Sequence, residues 1–325
     1  MGAQCGLRPN QAMARRRNRR APLAVNLSAR QFHNENLVAV VEQALRIHEV
    51  SAEWLELEIT ESMLMGEWAQ AVATLKRLRT LGVKLSLDDF GTGYSSLSYL
   101  NRLPVTSLKI DRSFVQDITT DPDEAVICVA IIDLAHNLKL RVIAEGVETE
   151  GQLNYLRSHH CDQIQGYLFS RPLPPAEFID LIAAGRTLPL PVREGPQPTI
   201  LLVDDEPSML SALKRALRSD GYRILTANNG RDGLEVLAIN DVQVILSDQR
   251  MPEMSGTEFL ERVRGLYPDT IRIVLSGYTD LQTITDAINR GAIYKFLTKP
   301  WDSDLLREHI HEAFRHHELE RQSRK

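Results

Sequence analysis

Two stretches of the chain place a pair of aspartates at the end of an apolar run: Leu85-Ser86-Leu87-Asp88-Asp89-Phe90-Gly91-Thr92-Gly93-Tyr94 and Ile200-Leu201-Leu202-Val203-Asp204-Asp205. Short runs of branched apolar residues are typical of buried strands, which can hold acids only at their ends. Paired carboxylates at a strand end offer the hard oxygen ligands that Mg²⁺ prefers. The sequence therefore predicts two separate metal-dependent phosphate sites.

Length and composition indicate a globular protein with two domains. The chain has 325 residues, of which 43% are hydrophobic and 25% are charged, so each of two domains can bury a core of its own. A net charge of -5 gives no support for general nucleic-acid binding. The three cysteines are scattered, which predicts reduced thiols and a cytoplasmic location.

No membrane insertion is expected, and the first residues read as a tail. The longest apolar stretch, Ala125 to Ile132, is too short to cross a bilayer. The N-terminus lacks the apolar core of a signal peptide. Residues 1–20 include the basic run Met13 to Arg20, and a disordered basic tail is predicted there. An arm that binds nucleic acid or membrane is the alternative.

From Pro22 onward, apolar strand candidates alternate with amphipathic segments. In Trp68–Leu81, for example, Val72, Leu75 and Leu78 follow helical spacing. This alternation predicts a parallel sheet or (β/α) barrel over residues 21–185, with functional residues at the carboxyl ends of its strands. The six strand candidates are Leu23–Leu27, Leu55–Thr60, Lys84–Asp88, Ser107–Ile110, Arg141–Ala144 and Gln163–Phe169.

A proline-rich stretch, residues 186–198, separates this region from a second one. Four prolines in so short a span favour an extended linker. Residues 199–325 then alternate five strands with five helices, which predicts a flavodoxin-like, doubly wound sheet. The predicted strands are Ile200–Val203, Arg223–Thr226, Val242–Ser247, Ile271–Leu275 and Ile293–Leu297.

Polar residues follow four strands of this second region. Asp204 and Asp205 end the first strand, Asp248 the third, Ser276 the fourth and Lys299 the fifth. In a doubly wound sheet these ends line one crevice. A carboxylate beside Mg²⁺ can attack phosphorus and form an acyl phosphate, whose oxygens a lysine and a hydroxyl can hold.

Residues 199–321 resemble the receiver domain of two-component response regulators. The resemblance implies that Asp248 is the phosphoacceptor and that a sensor histidine kinase is the partner. It also implies a cis Lys299–Pro300 bond and a switch in which the Ser276 hydroxyl moves to the phosphoryl group and the Phe296 ring turns inward. No recognition helix follows this region, so DNA binding is not expected. The Mg²⁺ ligands implied are Asp204, Asp205 and Asp248, with the carbonyl of Arg250.

The first region holds a larger cluster of polar residues at predicted strand ends, and a barrel would gather them at one mouth. Many carboxylates with one lysine and two amides suit two divalent cations and a phosphodiester. The cluster consists of Asn26, Glu58, Glu61, Asp88, Asp89, Lys109, Asp111, Glu145, Glu148 and Gln165.

Residues 21–182 resemble the EAL family of cyclic-di-GMP phosphodiesterases. The motifs, in the family's order, are Asn26-Leu27-Ser28, Glu58-Ile59-Thr60-Glu61, Asp88-Asp89-Phe90-Gly91-Thr92-Gly93-Tyr94-Ser95-Ser96, Lys109-Ile110-Asp111, Ala144-Glu145-Gly146-Val147-Glu148 and Gln165-Gly166-Tyr167. The resemblance implies a cofactor of Mg²⁺, with Mn²⁺ as the alternative, and a homodimer in which the loop from Asp88 to Tyr94 takes part.

The resemblance also gives each polar residue a role. Asn26, Glu58 and Asp88 would bind one metal, and Asp88 and Asp89 the second. Lys109 would contact water or phosphate, with Asp89 part of the catalytic group. Glu145 would be the general base. The residues that would bind substrate are Gln165, a guanine contact, and Glu148 and Asp111.

The glutamate of the family's Glu-Ala-Leu segment is missing, since the first glutamate in the sequence is Glu35. Six strands are expected where a closed barrel has eight. We therefore expect an incomplete barrel with two unpaired edges. Either the domain has impaired activity or the sequence is a truncated gene model.

Whether the chain is an enzyme stays open. The first reading is a response regulator whose phosphorylation at Asp248 modulates binding of cyclic-di-GMP or its hydrolysis to linear pGpG. The alternative is an inactive module that binds cyclic-di-GMP or protein.

Overall fold

The computed structural model describes residues 22–64, 68–91, 100–188, 197–277 and 291–323. The chain divides into two compact units. Parallel strands form one six-stranded and one five-stranded sheet. The α/β architecture predicted from the sequence, an incomplete barrel followed by a doubly wound sheet, is confirmed.

The first sheet is curled and open, and its strands are parallel and neighbour one another in chain order. Among the described strands, the first and the last therefore form the two edges of the sheet. The strands are β1 (Leu23–Asn26), β2 (Leu55–Thr60), β3 (Lys84–Phe90), β4 (Ser107–Ile110), β5 (Arg141–Ala144) and β6 (Gln163–Ile164).

The helices of the first region bury apolar residues at helical spacing. In the second of them, Val38, Val41 and Leu45 recur at intervals of three and four residues and are all buried. The described helices are α1 (Ala29–Phe32), α2 (Leu37–Ile47), α3 (Trp68–Thr80), α4 (Arg112–Gln116), α5 (Pro122–Asn137), α6 (Glu150–Ser158) and α7 (Pro175–Ala183).

Strand β2 shows how the sheet separates its two faces. Leu55, Leu57 and Ile59 are at most 1% exposed. Glu56 and Glu58 alternate with them and are buried as well. Successive side chains of a strand point to opposite faces, so the apolar residues share one face and the acids the other. The acid-bearing face is the one on which the predicted site is assembled.

In the first sheet, β1 ends one residue earlier than expected, at Asn26, and two other strands differ from their expected ends by two residues or more. Strand β3 continues past Asp88 to Phe90, with a register shift between Leu87 and Phe90. Strand β6 contains only Gln163–Ile164 instead of extending to Phe169. It stops because the chain turns at Gly166, whose carbonyl accepts a hydrogen bond from the Phe169 N–H.

The second sheet has the flavodoxin-like order β11-β10-β9-β7-β8, and all of its pairings are parallel. The fourth of the five expected helices falls within residues 278–290, outside the described part of the chain. The strands are β7 (Thr199–Val203), β8 (Arg223–Ala227), β9 (Val244–Asp248), β10 (Ile271–Ser276) and β11 (Lys295–Thr298). The described helices are α8 (Pro207–Leu217), α9 (Gly230–Ile239), α10 (Gly256–Leu266) and α11 (Ser303–Ser323).

Some expectations concern residues that the structure does not describe. The predicted basic tail, residues 1–20, lies outside the described ranges, and so does most of the predicted linker. Within the described ranges, no helix combines the length and the apolar composition needed to cross a bilayer.

Candidate metal and phosphate sites

Lys109 is the centre of the polar cluster in the first sheet. It lies on β4 and is 2% exposed. Its Nζ atom lies 2.9 Å from Glu58 Oε1, 3.1 Å from Asp88 Oδ1 and 2.5 Å from Glu145 Oε1. Strands β2 and β3 and the end of β5 supply these acids, so one ammonium connects four neighbouring strands. The structure thus brings four of the predicted site residues into direct contact.

The charges in this cluster are mutually dependent. Burial acts to lower the pKa of Lys109, but its hydrogen bonds to Glu145 and Glu58 outweigh burial, and the pKa is raised. Burial raises the pKa of Glu58 and of Glu145, against the opposing effect of Lys109. The lysine therefore stays cationic, and the acids share a single positive charge.

The carboxylates of the two adjacent aspartates, Asp88 and Asp89, lie close together at an irregular part of β3. Asp89 has a left-handed backbone, with φ of 54°, at the register shift between Leu87 and Phe90. Its N–H donates a hydrogen bond to Asp88 Oδ1 at 3.1 Å. Burial, followed by repulsion from Asp88 and Asp111, raises the pKa of Asp89.

These acids form a donor set that suits a divalent cation. Asp88, Asp89 and Glu145 each offer an oxygen, and these oxygens lie within 4.8 Å of one another. Carboxylate oxygens grouped this closely are the type of ligand that Mg²⁺ and Mn²⁺ favour. The residues therefore fit the metal that the sequence implied.

The remaining predicted residues lie at the same carboxyl edge of the sheet. Asn26 is exposed at the end of β1 and pairs in register with Glu58. Asp111 accepts hydrogen bonds from the Ser113 N–H and hydroxyl at 2.9 and 2.5 Å. These bonds outweigh the effect of burial and lower its pKa. Gln165 is exposed, and its N–H donates to the Ala144 carbonyl.

Glu148, the last of these predicted residues, is held by an ion pair. Its Oε1 lies 3.0 Å from Arg112 Nη2. Gly146 has φ of 70°, and a Cβ there would lie 2.4 Å from Arg112 Cγ. Gly166 is as confined, since its Cβ would lie 2.1 Å from the Val147 carbonyl oxygen. The two glycines allow the backbone to approach the Arg112 side chain and the Val147 backbone this closely.

Two buried polar residues beside the site were not predicted from the sequence. The Ser107 hydroxyl donates a 2.5 Å hydrogen bond to Glu56 Oε1. The available signal was the alternation in Leu55-Glu56-Leu57-Glu58, which puts both acids on one face of the strand. Glu56 is among the charges that raise the pKa of Glu58, after burial and Asp88.

In the second sheet, Lys299 joins two of the predicted acids. Its Nζ lies 3.1 Å from Asp204 Oδ2 and 2.5 Å from Asp248 Oδ1. Burial raises the pKa of Asp204, and the ion pairs with Asp248 and Asp204 raise that of Lys299 against burial. Oxygens of Asp204, Asp205 and Asp248 lie within 4.8 Å of one another. This set also suits a divalent cation.

The other positions predicted in this sheet have distinct environments. Ser276 is buried, and its hydroxyl donates to the Gly277 carbonyl at 3.2 Å. The Phe296 ring is 36% exposed. The Lys299–Pro300 bond is cis, as predicted. The Arg250 N–H donates to Asp248 Oδ2 at 3.0 Å.

The predicted loop from Asp88 to Tyr94 is described only as far as Gly91. Its remaining residues lie outside the described ranges, and the chain is described again from Leu100. The expected role of this loop in dimerisation remains a prediction.

Comparison with protein families assigns both regions. Residues 8–172 match the family described as EAL domain, about half of the chain. The chain belongs to the EAL domain family. Residues 200–311 match the response regulator receiver domain, so the second sheet is a receiver domain. Both resemblances found in the sequence are confirmed.

Curated relatives resemble the EAL domain and extend well beyond it. The chain is 51% identical over 167 residues to cyclic di-GMP phosphodiesterase NbdA of Pseudomonas aeruginosa, covering 51% of the chain and 21% of that protein. It is 45% identical over 161 residues to bifunctional diguanylate cyclase/cyclic di-GMP phosphodiesterase MucR of the same species, covering 50% and 24%. The chain thus spans about a fifth of the length of such relatives.

Solved structures show the same likeness. The phosphodiesterase PaMucR in complex with c-di-GMP is 41% identical, with a TM-score of 0.52, over 54% of this chain and 71% of that one. The EAL domain of Mycobacterium smegmatis DcpA is 36% identical, with a TM-score of 0.55, over 57% and 83%. Both likenesses support the EAL assignment of the first sheet.

Proposed function

We propose that the EAL domain binds cyclic-di-GMP with divalent cations and hydrolyses it to linear pGpG. The observation that carries the proposal is the convergence of Glu58, Asp88 and Glu145 on Lys109 at distances of 2.5–3.1 Å. A cluster of this kind can hold a cation and a phosphodiester together. The relative NbdA, whose name states this activity, supports the choice of substrate.

Each group at the edge of the sheet has a role in this proposal. Asp88 and Asp89 hold cations, together with Asn26 and Glu58. A bound divalent cation supplies charge to the phosphodiester and acidifies a water molecule. Glu145 takes the proton of the attacking water. In-line attack forms the new P–O bond as the bond from phosphorus to the ribose oxygen breaks, and that oxygen takes a proton from solvent.

The rest of the site is assigned to substrate binding and charge compensation. Lys109 can neutralise a phosphate oxygen as readily as it now neutralises three acids. Gln165, Asp111 and Glu148, at the same edge of the sheet, are assigned to the base and ribose. Arg112 holds Glu148 and so fixes one of these contacts.

Binding without turnover is the second candidate. It is favoured by the ion pair between Lys109 and Glu145, at 2.5 Å, which occupies the carboxylate that would serve as the base. A site whose base stays paired in this way can bind a nucleotide without cleaving it.

A titration paired with a turnover assay tests both candidates. Calorimetry with cyclic-di-GMP measures binding, and chromatography of pGpG in Mg²⁺ or Mn²⁺ measures hydrolysis. Turnover that is lost in Asp88→Asn supports the enzyme, whereas binding without pGpG supports the second candidate. Gly277→Ala in the receiver domain is the control, because a Cβ there meets no atom of the described residues within 4 Å. Absence of binding overturns both.

We further propose that the receiver domain is phosphorylated on Asp248 and that this modification modulates the EAL domain. An Asp248 oxygen attacks the phosphorus of a kinase phosphohistidine, and the histidine nitrogen leaves. Lys299 moves from the carboxylate to the phosphoryl oxygens. Ser276 and Phe296 form the switch, and the exposed ring of Phe296 provides a group that can turn inward.

Phosphorylation can be tested without the kinase. Incubation with acetyl phosphate and Mg²⁺ should add one acid-stable, base-labile phosphoryl group, detected by intact mass. Asp248→Asn should abolish the addition, and Asp241→Asn, an aspartate on the same domain away from the crevice, should not. A change in cyclic-di-GMP affinity or turnover on phosphorylation supports modulation, and an unchanged EAL domain contradicts it.

A further inference from the structure

A second layer of polar contacts lies beneath the metal site. Glu56 on β2 and Ser107 on β4 are joined by a 2.5 Å hydrogen bond, although β3 separates their strands. Glu58 and Lys109 come two residues later on the same strands and are joined at 2.9 Å. The acid-bearing face therefore carries two parallel bridges across β3, and the upper one belongs to the site.

Strand β3 leaves room for both bridges at Ser86. This residue pairs in register with Glu58 on one side and with Ser107 on the other. It is fully buried, and its hydroxyl has no hydrogen-bond partner among the described residues. A small side chain here allows the longer side chains of β2 to reach β4.

The lower bridge is buried deeply enough to be rigid. Glu56 is 8% exposed, and Ser107 is fully buried. A buried hydrogen bond in a low-dielectric setting is stronger than one in water, and its loss leaves a polar group unsatisfied. The lower bridge therefore fixes the spacing between β2 and β4 directly below Glu58 and Lys109.

We propose that Glu56, through Ser107, is a positioning residue that fixes the Glu58–Lys109 pair for metal and phosphodiester binding. This proposal rests on the function proposed for the EAL domain. Glu56 contacts Ser107 on the lower layer and acts through the strands. Outer contacts of this type commonly change metal affinity by about 10- to 100-fold.

Mn²⁺ binding to the full chain provides a direct test that does not depend on turnover. The titration, followed by electron paramagnetic resonance, uses a background of Asp205→Asn so that the receiver site does not contribute. Ser107→Ala and Glu56→Ala should each weaken Mn²⁺ binding by about 10-fold or more. Glu56→Gln should stay within about threefold of the parent, because its amide oxygen can still accept the Ser107 hydrogen bond.

A matched pair on the surface supplies the control. Ser51 and Glu53 are exposed and also form a hydroxyl–carboxylate contact, at 3.4 Å. Ser51→Ala should leave Mn²⁺ affinity unchanged. The double variant Glu56→Ala/Ser107→Ala should be no weaker than either single variant, because both remove the same bridge.

The outcomes separate this proposal from the function on which it rests. If the Asp205→Asn parent binds no more Mn²⁺ than the Asp88→Asn/Asp205→Asn variant, the proposed function fails. If the parent binds but Ser107→Ala matches Ser51→Ala, the positioning role is overturned. Glu56→Gln as weak as Glu56→Ala also overturns it, because charge and not the bridge would then matter. Thermal unfolding identifies any variant that fails to fold, and Ser107→Ala, which removes a single oxygen, keeps the test available.

Discussion

At the scale of single residues, Lys109 is the group on which the first site depends. It compensates three acids that would otherwise repel one another in a buried setting. Removing one member of a buried ion pair is costly because the partner charge remains without compensation. The same lysine would meet the phosphodiester, so stability and ligand binding depend on one ammonium.

Lys109→Met should therefore destabilise the EAL domain strongly. We expect a loss of about 3–5 kcal/mol in the free energy of unfolding, measured by urea denaturation. Millimolar Mn²⁺ should recover part of that loss by neutralising the same acids. Arg112→Met is the control, since the Arg112–Glu148 pair is exposed and such pairs contribute about 0–1 kcal/mol. Equal stability of the two variants would contradict this account.

The sequence indicated some residues of the site and missed others. Glu58, Asp88, Lys109 and Glu145 follow apolar runs, so the sequence could assign them to one edge of a sheet. Glu56 could not be singled out, because its partner Ser107 lies 51 positions away. Local patterns indicate which face a side chain occupies, whereas a bridge across an intervening strand depends on the curl of the sheet.

At the scale of elements, strand ends decide how the site is shaped. Three strands, β2, β4 and β5, have the bounds that the apolar runs predicted. The ends of β3 and β6 differed because backbone geometry, which the sequence pattern does not encode, controls them. Asp89 adopts a left-handed conformation, and the chain turns tightly at Gly166.

Gly166→Ala should disturb the loop that carries Gln165. The added Cβ would overlap backbone atoms of Val147 at 2.1 and 2.4 Å, and backbone cannot yield as a flexible side chain does. We expect lower thermal stability and weaker cyclic-di-GMP binding, measured by calorimetry. Gly277→Ala, where a Cβ lies within 4 Å of no atom in the described part of the chain, should bind normally. Normal binding by both variants would show that the loop adapts.

The amino end of the first sheet contains a pH-dependent contact between elements. Asp162 accepts hydrogen bonds from the Val142 N–H at 2.8 Å and from His136, at the end of α5, at 3.1 Å. Burial opposes these bonds, but with help from Arg141 they lower the pKa of Asp162. The stabilisation is therefore present above the unfolded pKa of about 3.9 and is lost as the pH falls through the folded value.

Asp162→Asn should accordingly cost stability at pH 7 and little in acid. The residue is partly exposed, so solvent screening limits the effect to roughly 0.5 kcal/mol. Urea denaturation at pH 7 and near pH 3 compares the variant with the parent. A difference that stays constant or grows toward pH 3 would contradict the assignment.

At the scale of the whole molecule, the described part of the chain carries two acid clusters, one on each sheet. Each has three carboxylates and a lysine that contacts two or more acids of its site. The resemblance in chemistry follows from the fold, because parallel strands expose their carboxyl ends at one edge. Under the proposed function, the pairing of an EAL domain with a receiver domain couples nucleotide binding to phosphorylation.

The two clusters should bind metal independently. A Mn²⁺ titration of the full chain should lose one class of sites in Asp88→Asn and the other in Asp205→Asn. The variant with both substitutions should retain neither class. Binding of two equivalents by the doubly substituted chain would place the metal elsewhere. Asp241→Asn, which changes a residue of neither cluster, serves as the control.

The left-handed backbone at Asp89 also restricts which residues can occupy that position. Asparagine and glycine tolerate φ of 54°, whereas valine and isoleucine are strongly disfavoured there. In a library that varies this codon and selects only for folded protein, asparagine and glycine should survive and β-branched residues should be depleted. Selection for folding alone would thus restrict position 89 to a few residue types, even where no ligand is ever bound.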